Sequence, residues 1–164
     1  MIANWGATTH ERAAPLPCDA LAPDAAVCAD RAISIDAPPS MVFGWLCQLR
    51  VAPYSYDLLD SFGRRSPRAR DPELAHLAVG QRFMQIFTLA SFAEDEHITL
   101  LSGTVAVTYA IRAEVGGTRL HVRVRFGTNR ILGWALALGD AVMMRKQLLT
   151  LRELAEGEAT SITS

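Results

Sequence analysis

The chain has 164 residues, 50% of them hydrophobic and 20% charged, with a formal net charge of -1. That length suits one domain with one sizeable core, and the balanced charge excludes the strongly basic footprint of a nucleic-acid binder. A mean hydropathy of +0.16 leaves apolar surplus to line a cavity or to cover an oligomer interface.

The first residues, "MIANWGATTHER", lack a basic start and an apolar stretch, so no secretory signal is read. The longest apolar run, "ILGWALALG", stops at Asp140 and falls short of the roughly 20 residues that span a bilayer. Three cysteines, Cys18, Cys28 and Cys47, with no signal before them, fit a reduced, cytoplasmic protein. A Cys18–Cys28 bridge is the minor alternative. Residues 1–30 are rich in Ala, Pro and Asp without a period, and read as an extended arm with local turns, packed on the domain.

"RAISID" alternates and reads as a short strand, with Ile33 and Ile35 on one face and Arg31 and Ser34 off it. In "APPSMVFGWLCQL", two prolines suit a first helical turn, and Val42, Trp45, Leu46 and Leu49 follow at helical spacing, giving a helix over 39–49. "SYDLLDSFG" reads as a second, short helix, capped by Ser55 or Asp57 and closed by Gly63. "RRSPRARDPELAHLAVG" is a polar, proline-punctuated loop.

From Gln81 the period becomes two. "QRFMQIFTLASFA", "EDEHITLLS", "GTVAVTYAIRAEV" and "TRLHVRVRF" read as antiparallel strands, with Ser102-Gly103 and Gly116-Gly117 as hairpin turns. Val105, Val107, Tyr109 and Ile111 share the face expected to look inward; Arg119, His121, Arg123 and Arg125 share the face expected to meet solvent. The last element is the longest helix, over 132–156. Trp134, Ala137, Ala141, Met144, Leu148, Leu151 and Ala155 form its apolar stripe, with Asp140 and Gln147 placed elsewhere. Gly157 is read as its end and 158–164 as a disordered tail.

A sheet with one apolar face needs a cover, and the final helix is long enough to supply it. The expected fold is α+β: a curved antiparallel sheet around a long C-terminal helix, with two short helices after the first strand. The expected domain spans 31–157, with a cavity between sheet and helix.

"WGATTHE", "LPCD", "RAISIDAPPSMVFGWLCQL", "YSYDLLDSFG", "LAVGQRF" and "MMRKQLLTLRELAE", in that order over about residues 5–156, resemble bacterial START-like proteins of the SRPBCC superfamily. The resemblance implies the helix-grip fold shared by polyketide cyclases/dehydratases, lipid-transfer domains and birch pollen allergen relatives. The chain departs from that pattern at Cys18, where relatives carry glycine. It departs again at "RVAPYSYD", where Val51, Ala52 and Pro53 replace glycines and stiffen the approach to Tyr54.

The function expected is binding of a small hydrophobic or amphipathic molecule, as a carrier. The alternative is a cyclase, dehydratase or isomerase working in the same cavity. Trp45, Tyr54, Tyr56, Phe83, Phe87, Tyr109, Trp134, Leu138 and Met144 are the expected lining. Tyr54, Tyr56, Asp57, His97 and Tyr109 are the candidates to handle protons: tyrosine hydroxyls as donors, His97 as the best general base if it faces inward. Capping chemistry explains Ser55, Asp57 and Gly63 with no ligand, and leaves the tyrosines of "YSYD" unexplained. The histidines show no metal-ligand spacing, and no phosphate loop or nucleophile motif is present, so no cofactor and no metal are expected. The arginine stripe could bind anionic partners, but a solvated face explains it more simply. Oligomeric state stays open, with a dimer one option.

Overall fold

Alternating side chains between Arg82 and Phe126 build five strands that, with a sixth from the N-terminal third, close into one sheet. The computed structural model describes residues 4–52, 54 and 67–164. The strands are β1 (Val27–Ile35), β2 (Arg82–Phe83), β3 (Phe87–Ala93), β4 (His97–Ser102), β5 (Val105–Glu114) and β6 (Gly117–Phe126). They form one open, six-stranded antiparallel sheet in the order β1-β6-β5-β4-β3-β2. The described helices are α1 (Thr9–Ala13), α2 (Pro17–Leu21), α3 (Pro39–Cys47) and α4 (Arg130–Thr163), with 3₁₀ turns at Gln48–Arg50 and Pro72–Ala75. The short helix expected over 55–63, with Tyr56 and Asp57, lies outside the described residues.

Register divides the sheet into two faces. Val27, Ala29, Arg31, Ile33 and Ile35 of β1 stand opposite Phe126, Val124, Val122, Leu120 and Thr118 of β6. Val107, Tyr109 and Ile111 of β5 continue that face, and Ile98 and Leu100 of β4 extend it. It packs under α4 and α3, with Val42, Trp45, Leu46, Leu49, Leu148 and Leu151 buried in one core.

The opposite face is covered too, which corrects the expectation that Arg119, His121, Arg123 and Arg125 meet solvent. His121 is 1% and Arg123 3% exposed. The aperiodic N-terminal arm lies over them. Trp5 forms a parallel bridge to Arg31, donating its N–H to the Asp30 carbonyl at 3.0 Å and accepting from the Ala32 N–H at 2.9 Å. Gly6 allows this docking: its φ is +70°, and a Cβ there would run into the Ala32 carbonyl oxygen. Thr8 and Glu11 close a reciprocal capping box on α1. Arg123 then fastens the arm, donating to the carbonyls of Glu11, Arg12 and Ala14 and to the Asp19 and Asp30 carboxylates. Arg119 pairs with Glu11 at 2.7 Å, and Arg125 donates to the Ala22 and Pro23 carbonyls. Beneath the arm, Leu16, Cys18 and Ala22 pack on Ala106 and Ala110 in a second, smaller core.

Two boundaries move. β1 begins at Val27, so a domain edge at residue 30 would cut through a strand. The last helix runs through Gly157 to Thr163, so residues 158–163 are helical and not a disordered tail. Glu158 anchors that extension: it accepts from Arg70 Nη2 at 2.6 Å and from Trp45 Nε1 at 2.8 Å. Thr160, Ser161 and Thr163 turn their hydroxyls back onto the carbonyls four residues earlier, which helices tolerate. All three cysteines are free: Cys18 and Cys47 are buried and Cys28 is exposed.

Candidate functional site

Four polar side chains meet in the layer between sheet and α4. Arg31 comes from the inner face of β1 and is 1% exposed. Its Nη1 stands 2.8 Å from Asp140 Oδ2 of α4. The contact is off the N–H axis, so charge holds it more than an aligned hydrogen bond; none of Nε, Nη1 and Nη2 of Arg31 has a hydrogen-bond partner. Tyr109, fully buried on β5, donates to Gln147 Oε1 of α4 at 2.8 Å. Gln147 Nε2 in turn reaches Met84 Sδ at 3.4 Å.

The electrostatics tie the two pairs together. Burial, and then the Asp140 charge, push the Tyr109 hydroxyl far above its usual range, against the smaller opposite pull of Arg31. Tyr109 is therefore a donor at neutral pH and not a base. Burial also raises the Asp140 carboxyl, with Arg31 opposing. Asp140 is the wettest of the ion pair, its side chain 25% exposed. A buried guanidinium with a free edge, a carboxylate at the rim, a hydroxyl and an amide can orient a polar head while the apolar walls hold a tail.

Arg31 is the residue that sequence reasoning missed. Period two puts it in phase with Ile33 and Ile35, so it shares their face, although its charge suggested otherwise. Asp140 and Gln147 were set off the stripe for the same reason, yet Asp140, Met144, Gln147 and Leu151 recur at helical spacing on the buried side.

The expected lining does not converge on one point. Phe83 and Tyr109 are fully buried on the inner face, Met144 is 7% exposed, and Phe87 packs at the edge of that core. Trp134 and Leu138 are 43% and 49% exposed and are not part of the buried core. The stripe holds from Ala137 onward, but Trp134 at its start lies off the core, where Gly133 beside it packs against Val27 instead. Trp45 and Tyr54 stand edge-to-face with ring centres 6.2 Å apart. Trp45 reaches Glu158, eighteen residues past Asp140, which is about 27 Å along the helix axis. The tryptophan and Tyr54 therefore belong to the far end of the helix. Tyr54 sits in the left-handed region at φ +54°, its side chain 1% exposed and in the core.

His97 pairs in register with Ala110, on the face that carries the arm. It stands across the sheet from Tyr109, so it is not a base for this site; burial lowers its pKa. Cys47 is packed in α3, and burial pushes its thiol up to about 12, far from a nucleophile. No group of three His, Cys, Asp or Glu residues among the described ones is placed to hold a metal ion. No helix among them is long and apolar enough to cross a membrane.

No family model matches the sequence, and no curated protein matches it. Solved structures do. A Rhodobacter sphaeroides protein superposes with a TM-score of 0.54 at 16% identity, covering 79% of this chain and 92% of its own. Protein NE0264 of Nitrosomonas europaea gives 0.53 at 14%, covering 84% and 99%. Protein SSP2350 of Staphylococcus saprophyticus gives 0.53 at 12%, covering 77% and 89%. At these identities the likeness concerns the fold: an α+β chain whose antiparallel sheet carries a long C-terminal helix.

Proposed function

We propose that the chain is a helix-grip protein of the START-like kind that binds a small hydrophobic or amphipathic molecule between its sheet and α4. The carrying observation is Arg31, a buried cation on an otherwise apolar strand face, with no hydrogen bond to any of its three guanidinium nitrogens. A core built for stability alone would put an aliphatic residue there, because a buried charge is costly unless paired and hydrogen-bonded. Tyr109 and Gln147 add a polar contact in the same layer. Titration with the neutral probe N-phenyl-1-naphthylamine tests the reading. Saturable fluorescence gain by folded protein, competed by a long-chain lipid, is expected. No saturable uptake sinks it.

A second reading, proton-transferring chemistry of the cyclase or dehydratase type, is favoured by one observation. Asp140 is a carboxyl raised by burial at the rim of the same cluster. It replaces His97 as the acid/base candidate. Asp140→Asn should then abolish turnover of a poly-β-keto thioester while probe binding persists; no turnover by the native protein refutes this reading alone.

A further inference from the structure

We infer that the ligand carries a carboxylate on an apolar body, that Arg31 reads the carboxylate, and that Asp140 is its internal stand-in. The inference rests on the binding reading above and names the class of molecule. Arg31 offers five N–H donors, and its shortest contact to Asp140 runs from Nη1. None of its three nitrogens makes a hydrogen bond, and two of them, Nε and Nη2, lie along one straight edge of the guanidinium. That edge presents parallel N–H groups that match the two oxygens of a carboxylate, and a single neutral oxygen would leave one of them empty. Asp140 thus offsets the charge without a hydrogen bond to either nitrogen of that edge.

The surroundings match the rest of such a molecule. On α4, Leu132, Leu136 and Met143 lie in a row on the flank of Asp140. Leu132 and Thr150 are eighteen residues apart, which is five helical turns, so they point the same way. Thr150 is 5% exposed, whereas Leu132 is 47% and Leu136 40% exposed. The same flank is therefore covered along the second half of the helix and bare along the first, where it is apolar and borders the ion pair. A cation at the end of a bare apolar flank is complementary to an amphipathic anion.

The fork itself is sealed from solvent. Loading therefore requires the first turns of α4 to swing away from the sheet. Gly139 stands next to Asp140 at the junction, and a Cβ there would meet nothing within 4 Å, so packing does not call for glycine. Its effect is to loosen the helix where the swing must occur.

Displacement of N-phenyl-1-naphthylamine by dodecanoate and by 1-dodecanol decides the matter. The native protein should bind dodecanoate at least about tenfold more tightly than the alcohol, the margin expected of a charge-assisted fork. Asp140→Asn, which removes the competing charge, should tighten dodecanoate several-fold and leave dodecanol alone. Arg31→Met should erase the preference. Equal affinity of the native protein for acid and alcohol, or no gain in Asp140→Asn, overturns the carboxylate assignment while the binding reading stands. Failure to bind the probe or either lipid takes down both. Should Arg31→Met not fold, the native comparison and Asp140→Asn still decide.

Discussion

Tyr109 donates a hydrogen bond to Gln147 at 2.8 Å, and both residues are buried. Tyr109→Phe keeps the ring and removes that donor, so it should cost about 1–3 kcal/mol in urea unfolding, the range for losing one partner of a buried hydrogen bond. Unfolding that coincides with the native protein's would mean that the bond contributes nothing net. Parity made Tyr109 legible in the sequence: it alternates with Val107 and Ile111. Parity made Arg31 equally legible, and the guanidinium's polarity hid it. Polarity was a poor guide because a charge can stay inside when a carboxylate from another element meets it, and Asp140 is 109 positions away. Such distant pairing leaves no local mark on either segment.

Helix α4 changes character along its length. From Met144 onward it buries Met144, Gln147, Leu148, Leu151 and Ala155, whereas before Gly139 it buries only the small Gly133 and Ala137 and leaves Ile131, Leu132, Trp134, Leu136 and Leu138 exposed. Amide exchange should therefore be faster over residues 131–139 than over 144–155. Gly139→Ala should slow that exchange and add about 0.5–1 kcal/mol of stability, since the methyl group meets open space and restricts the unfolded chain. Unchanged exchange over 131–139 would remove the case for a hinge there. The helix's period was plain in the sequence, but its phase in the first turns and its end were not. Gly157 looked like a terminator, yet Glu158 just beyond it is held by Arg70 and Trp45, 88 and 113 residues away in the chain. Glu158→Gln should weaken the Arg70 pair, cost about 1–2 kcal/mol and hasten exchange over 157–163, because the lost contact is a partly buried, charge-assisted one. Retained protection of 157–163 in that variant would show that the hydroxyl back-bonds suffice.

Across the whole molecule, the sheet is sandwiched. One face carries α3 and α4; the other carries the arm, fastened by charges. The strands and their turns were legible because alternation is local. The arm's position was not, since residues 4–26 have no period and their partners Arg119, Arg123 and Arg125 lie a hundred positions on. The fastening makes the arm sensitive to acid. The Arg119 hydrogen bond, outweighing burial, holds the Glu11 carboxyl at about 2, against an ordinary 4.5. For Asp30, hydrogen bonds and charge from His121 and Arg123 overcome burial and likewise lower the pKa. A carboxyl depressed by folding stabilises the folded state above its unfolded pKa, and that contribution fades as pH falls toward the folded value. For Glu11 the window runs from about 4.5 down to about 2. Urea midpoints of the native protein and Glu11→Gln should thus differ by a constant amount at pH 7 and pH 6, and the gap should narrow at pH 4. Asp140 opposes the trend, because its raised carboxyl favours the folded state most in acid. In Asp140→Asn that offset is gone, so its stability should fall more steeply with acid than the native protein's. A gap between native and Glu11→Gln that stays constant down to pH 3 would mean that Arg119 does not hold the arm through Glu11.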